Sequence, residues 1–226
     1  YDVYQSAADL TLEKYGMRAL TADEGGLAPP FISAEAMLAD AVEAIQRAGY
    51  APGREVALAV DVAASHFYAG GQYRLGDQSL ASRDMIAGLQ SWLARYPILS
   101  LEDGLAEDDW AHWPVLSAAV GERVLVTVLT KRMAERAIES RAANTLLLKV
   151  NQIGTLTEAA HAYALARQAG WRVTISARSG ETEDNWLADL AVGWAGDFIK
   201  IGSIAQSERL AKYNRLLAIE AGLLQP

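Results

Sequence analysis

Residues 145–169, TLLLKVNQIGTLTEAAHAYALARQA, contain one complete strand-to-helix unit, the element that this fold repeats. Residues 146–148 and 150 are apolar, as in a strand that is buried on both faces of a parallel sheet. Residues 155–169 carry apolar side chains three and four positions apart, which predicts a helix that packs on that sheet. Lys149 stands near the end of the strand, so the unit places a charged group at its carboxyl end.

The same alternation of strand and helix runs through most of the chain, which is typical of a parallel α/β fold. The other predicted strands lie near residues 57–62, 98–102, 124–128, 173–177 and 198–202. The other predicted helices lie near residues 33–48, 82–96, 110–120, 131–141, 185–195 and 207–221, and the chain opens on what looks like a helix already under way. Closing a barrel commonly needs eight strands, about two more than these. We expect one domain over residues 1–226, either a (β/α)8-type barrel that is incomplete at its N-terminal end or an open sheet.

Charged side chains stand at the carboxyl ends of nearly all the predicted strands. They are Asp61, Glu102, Lys149, Arg178 and Lys200. This distribution favours a barrel, in which catalytic groups come from the ends of many strands, over an open sheet, in which they line one crevice. The strand around Val126 has no acid at its end. The pattern predicts an enzyme site in which acids hold a metal and lysines handle protons.

Composition excludes several classes of function. The net charge of -8 and the isoelectric point near 4.9 argue against nucleic acid and anionic membranes as partners. An acidic protein that binds an anionic substrate needs local cations or a metal at its site. The absence of cysteine excludes disulfides and thiolate metal sites and suits the cytoplasm, where we expect the protein to reside. No apolar run approaches the roughly 20 residues that span a bilayer.

Six segments resemble the C-terminal barrel of the enolase (phosphopyruvate hydratase) family, in the same order and over nearly the whole chain. They are DEGGLAPP (23–30), DVAASHFY (61–68), YPILSLEDGLAEDDW (96–110), LLLKVNQIGTLTEA (146–159), RSGETED (178–184) and SERLAKYN (207–214). The resemblance implies an enolase barrel whose opening strands, together with an N-terminal α/β domain, lie upstream of Tyr1. It also implies a homodimer or a larger homo-oligomer.

The resemblance further implies a Mg²⁺-dependent lyase that dehydrates 2-phosphoglycerate to phosphoenolpyruvate. Removing a proton next to a carboxylate places a second negative charge on that carboxylate, which metal ions and lysine stabilise. By resemblance, Lys149 takes the proton and Glu24 protonates the departing hydroxide. Asp61 and Glu102 offer the hard oxygen ligands that Mg²⁺ prefers.

The same resemblance assigns three residues to the substrate, a small phosphorylated or phosphonylated carboxylic acid. Arg178 and Ser179 match the family's phosphate contacts, since a guanidinium clamps two oxygens and a hydroxyl adds a donor. Lys200 would pair with the substrate carboxylate. The site assignments have structural alternatives: Asp61 and Glu102 could be solvated or cap helices, and the lysines could form ion pairs with acids of the barrel. Glu24 could be an exposed acid of an ordinary turn, and Arg178 could serve only to anchor the GETED loop, residues 180–184. The acid-rich stretches 107–109 and 181–184 are expected to cap helix starts.

Three positions depart from the family pattern. Ala177 replaces a histidine that precedes the arginine of RSGETED. IGSIAQSERLAKYN (201–214) replaces the family's usual small turn before SER, and His66, expected at the surface or behind the ligands rather than as a ligand, stands where an acid is common. A segment with a third metal-binding acid is missing between Thr127 and Val128, either by a true deletion or because a loop is absent from the sequence in hand. The alternatives are therefore a specialised homologue, such as a carboxyphosphonoenolpyruvate synthase of phosphonate biosynthesis, or an inactive enolase fold that acts by binding a partner.

Overall fold

The protein is described here by a computed structural model that covers residues 1–16, 20–128 and 131–223. Its helices are α1 (Asp2–Tyr15), α2 (Ala34–Arg47), α3 (Ser82–Arg95), α4 (Trp113–Val120), α5 (Lys131–Ser140), α6 (Val150–Ile153), α7 (Leu156–Gln168), α8 (Trp186–Gly193) and α9 (Ser207–Leu223). Its strands are β1 (Leu58–Asp61), β2 (Tyr68–Ala69), β3 (Gln72–Leu75), β4 (Gln78–Leu80), β5 (Ile98–Glu102), β6 (Leu125–Val128), β7 (Thr145–Leu148), β8 (Arg172–Ser176) and β9 (Phe198–Lys200). None of the helices within these ranges has the length and apolar character needed to cross a membrane.

A six-stranded parallel sheet forms the centre of the molecule, in the order β1-β5-β6-β7-β8-β9. The sheet is curled, because Lys200 at the end of β9 lies 3.0 Å from Asp61 at the end of β1. The outer strands of a flat sheet with this number of strands would be about 24 Å apart. The predicted α/β fold with a partial barrel is therefore confirmed.

The helices cover the outer face of this sheet through small and aliphatic side chains. In α7, Ala159, Ala162 and Ala166 are fully buried and form one stripe, since they recur every three or four residues. Alanine side chains let the helix axis approach the sheet closely. The Thr155 side chain caps the start of α7 by accepting a hydrogen bond from the Glu158 N–H. β7 beneath it is buried at every position, as its apolar sequence predicts.

Two features of the fold were not predicted. A three-stranded antiparallel sheet, β2-β3-β4, follows β1 and holds Tyr73, which is fully buried. Its strands are two to four residues long and largely polar, so the sequence pattern does not distinguish them from a loop. The strand predicted over residues 145–150 is also shorter, because the chain turns into α6 directly after Lys149.

β6 crosses the point at which the missing segment was predicted. Thr127 pairs with Thr145, and Val128 pairs with Leu146, so the strand continues through the junction. Residues 129 and 130, which connect β6 to α5, lie outside the described residues. The sequence from Leu125 to Lys131 contains no acid. The end of β6 therefore contributes no carboxylate to the face described next.

Candidate active site

Four predicted site residues meet at the carboxyl ends of the strands. The Lys200 Nζ atom lies 2.7 Å from Glu102 Oε2 and 3.0 Å from Asp61 Oδ2. The Lys149 Nζ atom lies 3.8 Å from Glu102 Oε1. These side chains come from the ends of β1, β5, β7 and β9, so the curl of the sheet is what brings them together. We call these four residues the acid–lysine cluster.

The turns that follow β1 and β5 fix the two acids relative to each other. Asp61 and Glu102 are partners in the parallel register, so their side chains leave the sheet at the same level. Beyond the strands, Ala63 (φ 49°) and Asp103 (φ 47°) both adopt the left-handed conformation. The Ala64 N–H donates to the Asp103 carbonyl at 3.0 Å, which joins the two turns. A left-handed conformation is unfavourable for residues other than glycine, so the surrounding contacts hold these turns in place.

Burial and charge act against each other within the cluster. Glu102 is 7 % exposed, and this burial raises the pKa of its carboxyl more than the Lys200 and Lys149 charges lower it. Burial lowers the pKa of the Lys200 ammonium, but the charges and hydrogen bonds of Glu102 and Asp61 more than compensate, so its pKa is raised. Lys200 therefore remains protonated beside the two acids. Among the described residues, no hydrogen-bond donor reaches Glu102 Oε1.

Asp103 is a third acid of this site, and sequence reasoning missed it. Carboxylate oxygens of Asp61, Glu102 and Asp103 lie within 4.8 Å of one another, close enough to contact one cation. Burial, followed by the charges of Glu102 and Asp61, raises the pKa of Asp103 to about 7. Successive residues of a strand point to opposite faces, so strand alternation alone does not place the residue next to Glu102 on the same face. The left-handed turn after the strand removes that restriction.

Arg178, Ser179 and Glu24 are placed at the same end of the sheet by their backbones. The Ala177 N–H donates to the Lys200 carbonyl at 2.8 Å, which ties Ala177 to the end of β9. Arg178 is the next residue and therefore lies beside that strand end. The Ser203 N–H donates to the Glu24 carbonyl at 2.9 Å, which docks the DEGG loop just beyond β9. In the part of the chain that the structure describes, no hydrogen bond or ion pair joins the three side chains to the acid–lysine cluster.

A cavity of about 340 Å³ lies within the curl of the sheet and reaches this cluster. All six parallel strands line it, with Asp61, Glu102 and Lys200 at the charged end. Most of the remaining lining is apolar, apart from Ser100 and residues 127 and 174, which are threonines. A cavity of this size and composition, with a few converging polar groups, is typical of small-molecule sites.

The predicted helix caps are wrong, while His66 is exposed as predicted. Asp109 is buried and accepts a hydrogen bond from the Tyr73 hydroxyl at 2.8 Å instead of capping α4. Glu181 does not cap α8, because its carboxylate accepts the Arg178 N–H at 2.9 Å and lies 3.0 Å from Lys212 Nζ. Asp109 also lies 2.7 Å from His112 Nδ1, so its carboxylate joins Tyr73 to His112, while Glu181 holds the loop of Arg178.

Comparison with known proteins agrees with this architecture. The family description that matches is "Enolase, C-terminal TIM barrel domain", over residues 1–225. The chain is 48 % identical over 222 residues to the protein named Enolase of Desulfotalea psychrophila, a match that covers 94 % of this chain and 52 % of that protein. It is 46 % identical over 220 residues to Enolase 1 of Methylococcus capsulatus, with the same shares of 94 % and 52 %. The chain thus spans about half the length of these relatives. With a family match over nearly all its residues, the chain belongs to the enolase family.

Proposed function

We propose that this chain carries the metal- and substrate-binding face of a Mg²⁺-dependent lyase that dehydrates 2-phosphoglycerate to phosphoenolpyruvate. The observation that carries the proposal is the convergence of two acids and two lysines from four strands, with Asp61, Glu102 and Lys200 at one end of a cavity. The name Enolase of the two relatives supports the same reaction. Assembly into a homodimer or larger oligomer belongs to the proposal and can be tested by light scattering.

Asp61 and Glu102 are the proposed ligands of Mg²⁺, and Asp103 is a third carboxylate within reach. The fit is supported by Glu102 Oε1, a buried carboxylate oxygen that accepts no hydrogen bond among the described residues, since Lys149 Nζ lies 3.8 Å away, beyond hydrogen-bond distance. Such an atom is costly unless a cation or donor meets it. When bound, the ion supplies positive charge that stabilises the second negative charge on the substrate carboxylate.

The lysines have separate roles in the proposal. The Lys149 amine takes the proton from the carbon next to the substrate carboxylate, and the ammonium that forms has Glu102, 3.8 Å away, as its counter-charge. Lys200 now pairs with both acids, and once their oxygens are engaged elsewhere, its ammonium can pair with the substrate carboxylate. Glu24 gives a proton to the departing hydroxide, which leaves as water. Arg178 and Ser179 hold the phosphate.

The test is turnover of 2-phosphoglycerate in the presence of Mg²⁺, followed by the absorbance of phosphoenolpyruvate. Lys149→Ala should lower kcat by roughly 10²–10⁴-fold, as expected for loss of a general base. Lys14→Ala is the matched control, since Lys14 is a partly exposed residue of α1 that pairs with Asp40 and Glu43. Equal turnover by the Lys149→Ala variant and the control would contradict the assigned role. Absence of both turnover and Mg²⁺ binding in the wild type would leave a non-catalytic binding protein.

Ala177 favours a second candidate, the same chemistry on a phosphonate analogue as in carboxyphosphonoenolpyruvate synthase. Ala177 is the buried residue directly before Arg178. Its small side chain leaves the loop of the proposed phosphate contacts, Arg178 and Ser179, without an imidazole. Incubation with phosphonoformate and phosphoenolpyruvate, followed by ³¹P NMR, tests this candidate. A new phosphorus signal that depends on Lys149 would support it, and unchanged spectra would reject it.

A further inference from the structure

Two cations on the inner face of α9 are fully buried, although the proposed chemistry uses neither of them. The side chains of Arg209 and Lys212 are both 0 % exposed. Burying a charge is unfavourable unless hydrogen bonds and opposite charges satisfy it. Their partners therefore indicate what these residues do in the fold.

Arg209 bonds to the two elements that carry the proposed substrate contacts. Its Nη1 atom donates to the Arg178 carbonyl at 2.7 Å and to the Ile201 carbonyl at 3.0 Å, while Nη2 donates to the Ser179 carbonyl at 2.7 Å. Ile201 directly follows Lys200. One rigid guanidinium thus joins the loop of Arg178 and Ser179 to the strand end that bears Lys200, and its planar fork fixes their separation.

The sequence leaves room for this contact at Gly202. A Cβ atom there would lie 2.9 Å from Arg209 Cδ, and the residue has a φ of +110°, which other residues rarely adopt. The Tyr213 hydroxyl donates to the Gly202 carbonyl at 2.7 Å. The end of β9 is therefore held against α9 by side chains from two successive turns of the helix.

Lys212 extends the same support along the loop. Its Nζ atom donates to the Thr182 carbonyl at 2.6 Å and lies 3.0 Å from Glu181 Oε2. The other oxygen of Glu181 accepts the Arg178 N–H at 2.9 Å. Arg209 therefore holds the carbonyls of Arg178 and Ser179, while Lys212 holds the next part of the loop through the Thr182 carbonyl and the Glu181 carboxylate.

We infer that Arg209 is a positioning residue that sets the spacing between the phosphate contacts Arg178 and Ser179 and the carboxylate contact Lys200, with Lys212 supporting the loop through Glu181. It thereby selects a small ligand that carries two anionic groups at a fixed separation. The identity of that ligand rests on the proposed function, whereas the anion-binding role of the loop can be measured without turnover.

The test compares Arg209→Lys, which keeps the charge and loses the fork, with Arg215→Met. Arg215 is a matched control because it also lies on α9 but forms an exposed ion pair with Asp189. Inorganic phosphate is titrated by calorimetry, the melting temperature is recorded, and KM and kcat for 2-phosphoglycerate are measured. Arg209→Lys should raise the phosphate Kd and KM by about tenfold with a smaller change in kcat, as expected when a binding constellation loosens. Arg215→Met should leave the phosphate Kd and the KM within about twofold of the wild-type values.

Each result decides a separate point. A folded Arg209→Lys variant with the Kd of the control would overturn the inference, as would absence of phosphate binding in the wild type. Weaker phosphate binding in this variant, without wild-type turnover, would support the inference and reject the proposed reaction. Should Arg209→Lys fail to fold, Glu181→Gln replaces it, since it keeps an acceptor for the Arg178 N–H and removes the charge beside Lys212. A phosphate Kd equal to that of the control would then overturn the inference, and a raised Kd would support it.

Discussion

The acid–lysine cluster and the inner face of α9 both bury charge, but they satisfy it differently. Arg209 and Lys212 donate mainly to backbone carbonyls, which cannot move without moving the strand end and the loop. In the cluster, the partners are side chains. Each region also has one buried polar atom without a hydrogen-bond partner among the described residues, Arg209 Nε on α9 and Glu102 Oε1 in the cluster. The inner face of α9 is therefore held fixed, whereas the acid–lysine cluster can exchange its side-chain partners, as the proposed binding of Mg²⁺ and substrate requires.

Arg209→Met should produce the largest loss of stability. It removes a buried cation and leaves carbonyls of Arg178, Ser179 and Ile201 without a donor, so the free energy of unfolding should fall by about 3 kcal/mol. Denaturant unfolding measures the loss, which Mg²⁺ should not restore. A loss below about 1 kcal/mol would mean that the α9 contacts are not the fixed part of the structure.

Lys200→Met should lower the free energy of unfolding by less than Arg209→Met does, and Mg²⁺ should reverse the loss. Without the Lys200 ammonium, Asp61 and Glu102 repel each other. Because Lys200 is half-buried, we expect the free energy of unfolding to fall by only about 1 kcal/mol when a chelator removes divalent cations. Saturating Mg²⁺ should recover most of this loss, because the acids regain a cation. The same unfolding curves with and without Mg²⁺ provide the measurement, and a loss that Mg²⁺ leaves untouched would remove the distinction between the two regions.

Asp103→Asn should change stability least but should weaken metal binding. The amide keeps the shape while removing one negative charge near Asp61 and Glu102, so we expect an approximately tenfold higher Kd for Mg²⁺, or about 1.4 kcal/mol. Asp108→Asn, at an exposed position of the following loop, is the control. Equal Mg²⁺ affinity in the two variants would show that Asp103 is not a ligand.

The sequence predicted most of the acid–lysine cluster but not the buried cations of α9. The positions of Asp61, Glu102, Lys149 and Lys200 could be predicted, because apolar runs mark the strands and parallel pairing aligns their carboxyl ends. The contribution of Asp103 could not, because it depends on a left-handed turn that strand alternation does not indicate.

Arg209 and Lys212 were missed for a different reason. Charged residues on a helix are expected to face water, and nothing in SERLAKYN marks these two as buried. Their partners are backbone carbonyls of a loop about 30 residues earlier in the chain, which the local sequence does not reveal. Only the tertiary packing of α9 against that loop makes their role visible.

The most direct test of the central claim is a calorimetric titration of Mg²⁺ into the wild type and into Glu102→Gln. Glu102 offers the buried oxygen that no described donor satisfies, and its amide analogue has nearly the same volume. We expect saturable Mg²⁺ binding by the wild type and at least a tenfold weaker affinity in the variant. Equal affinity in the two proteins, or no binding by the wild type, would contradict it.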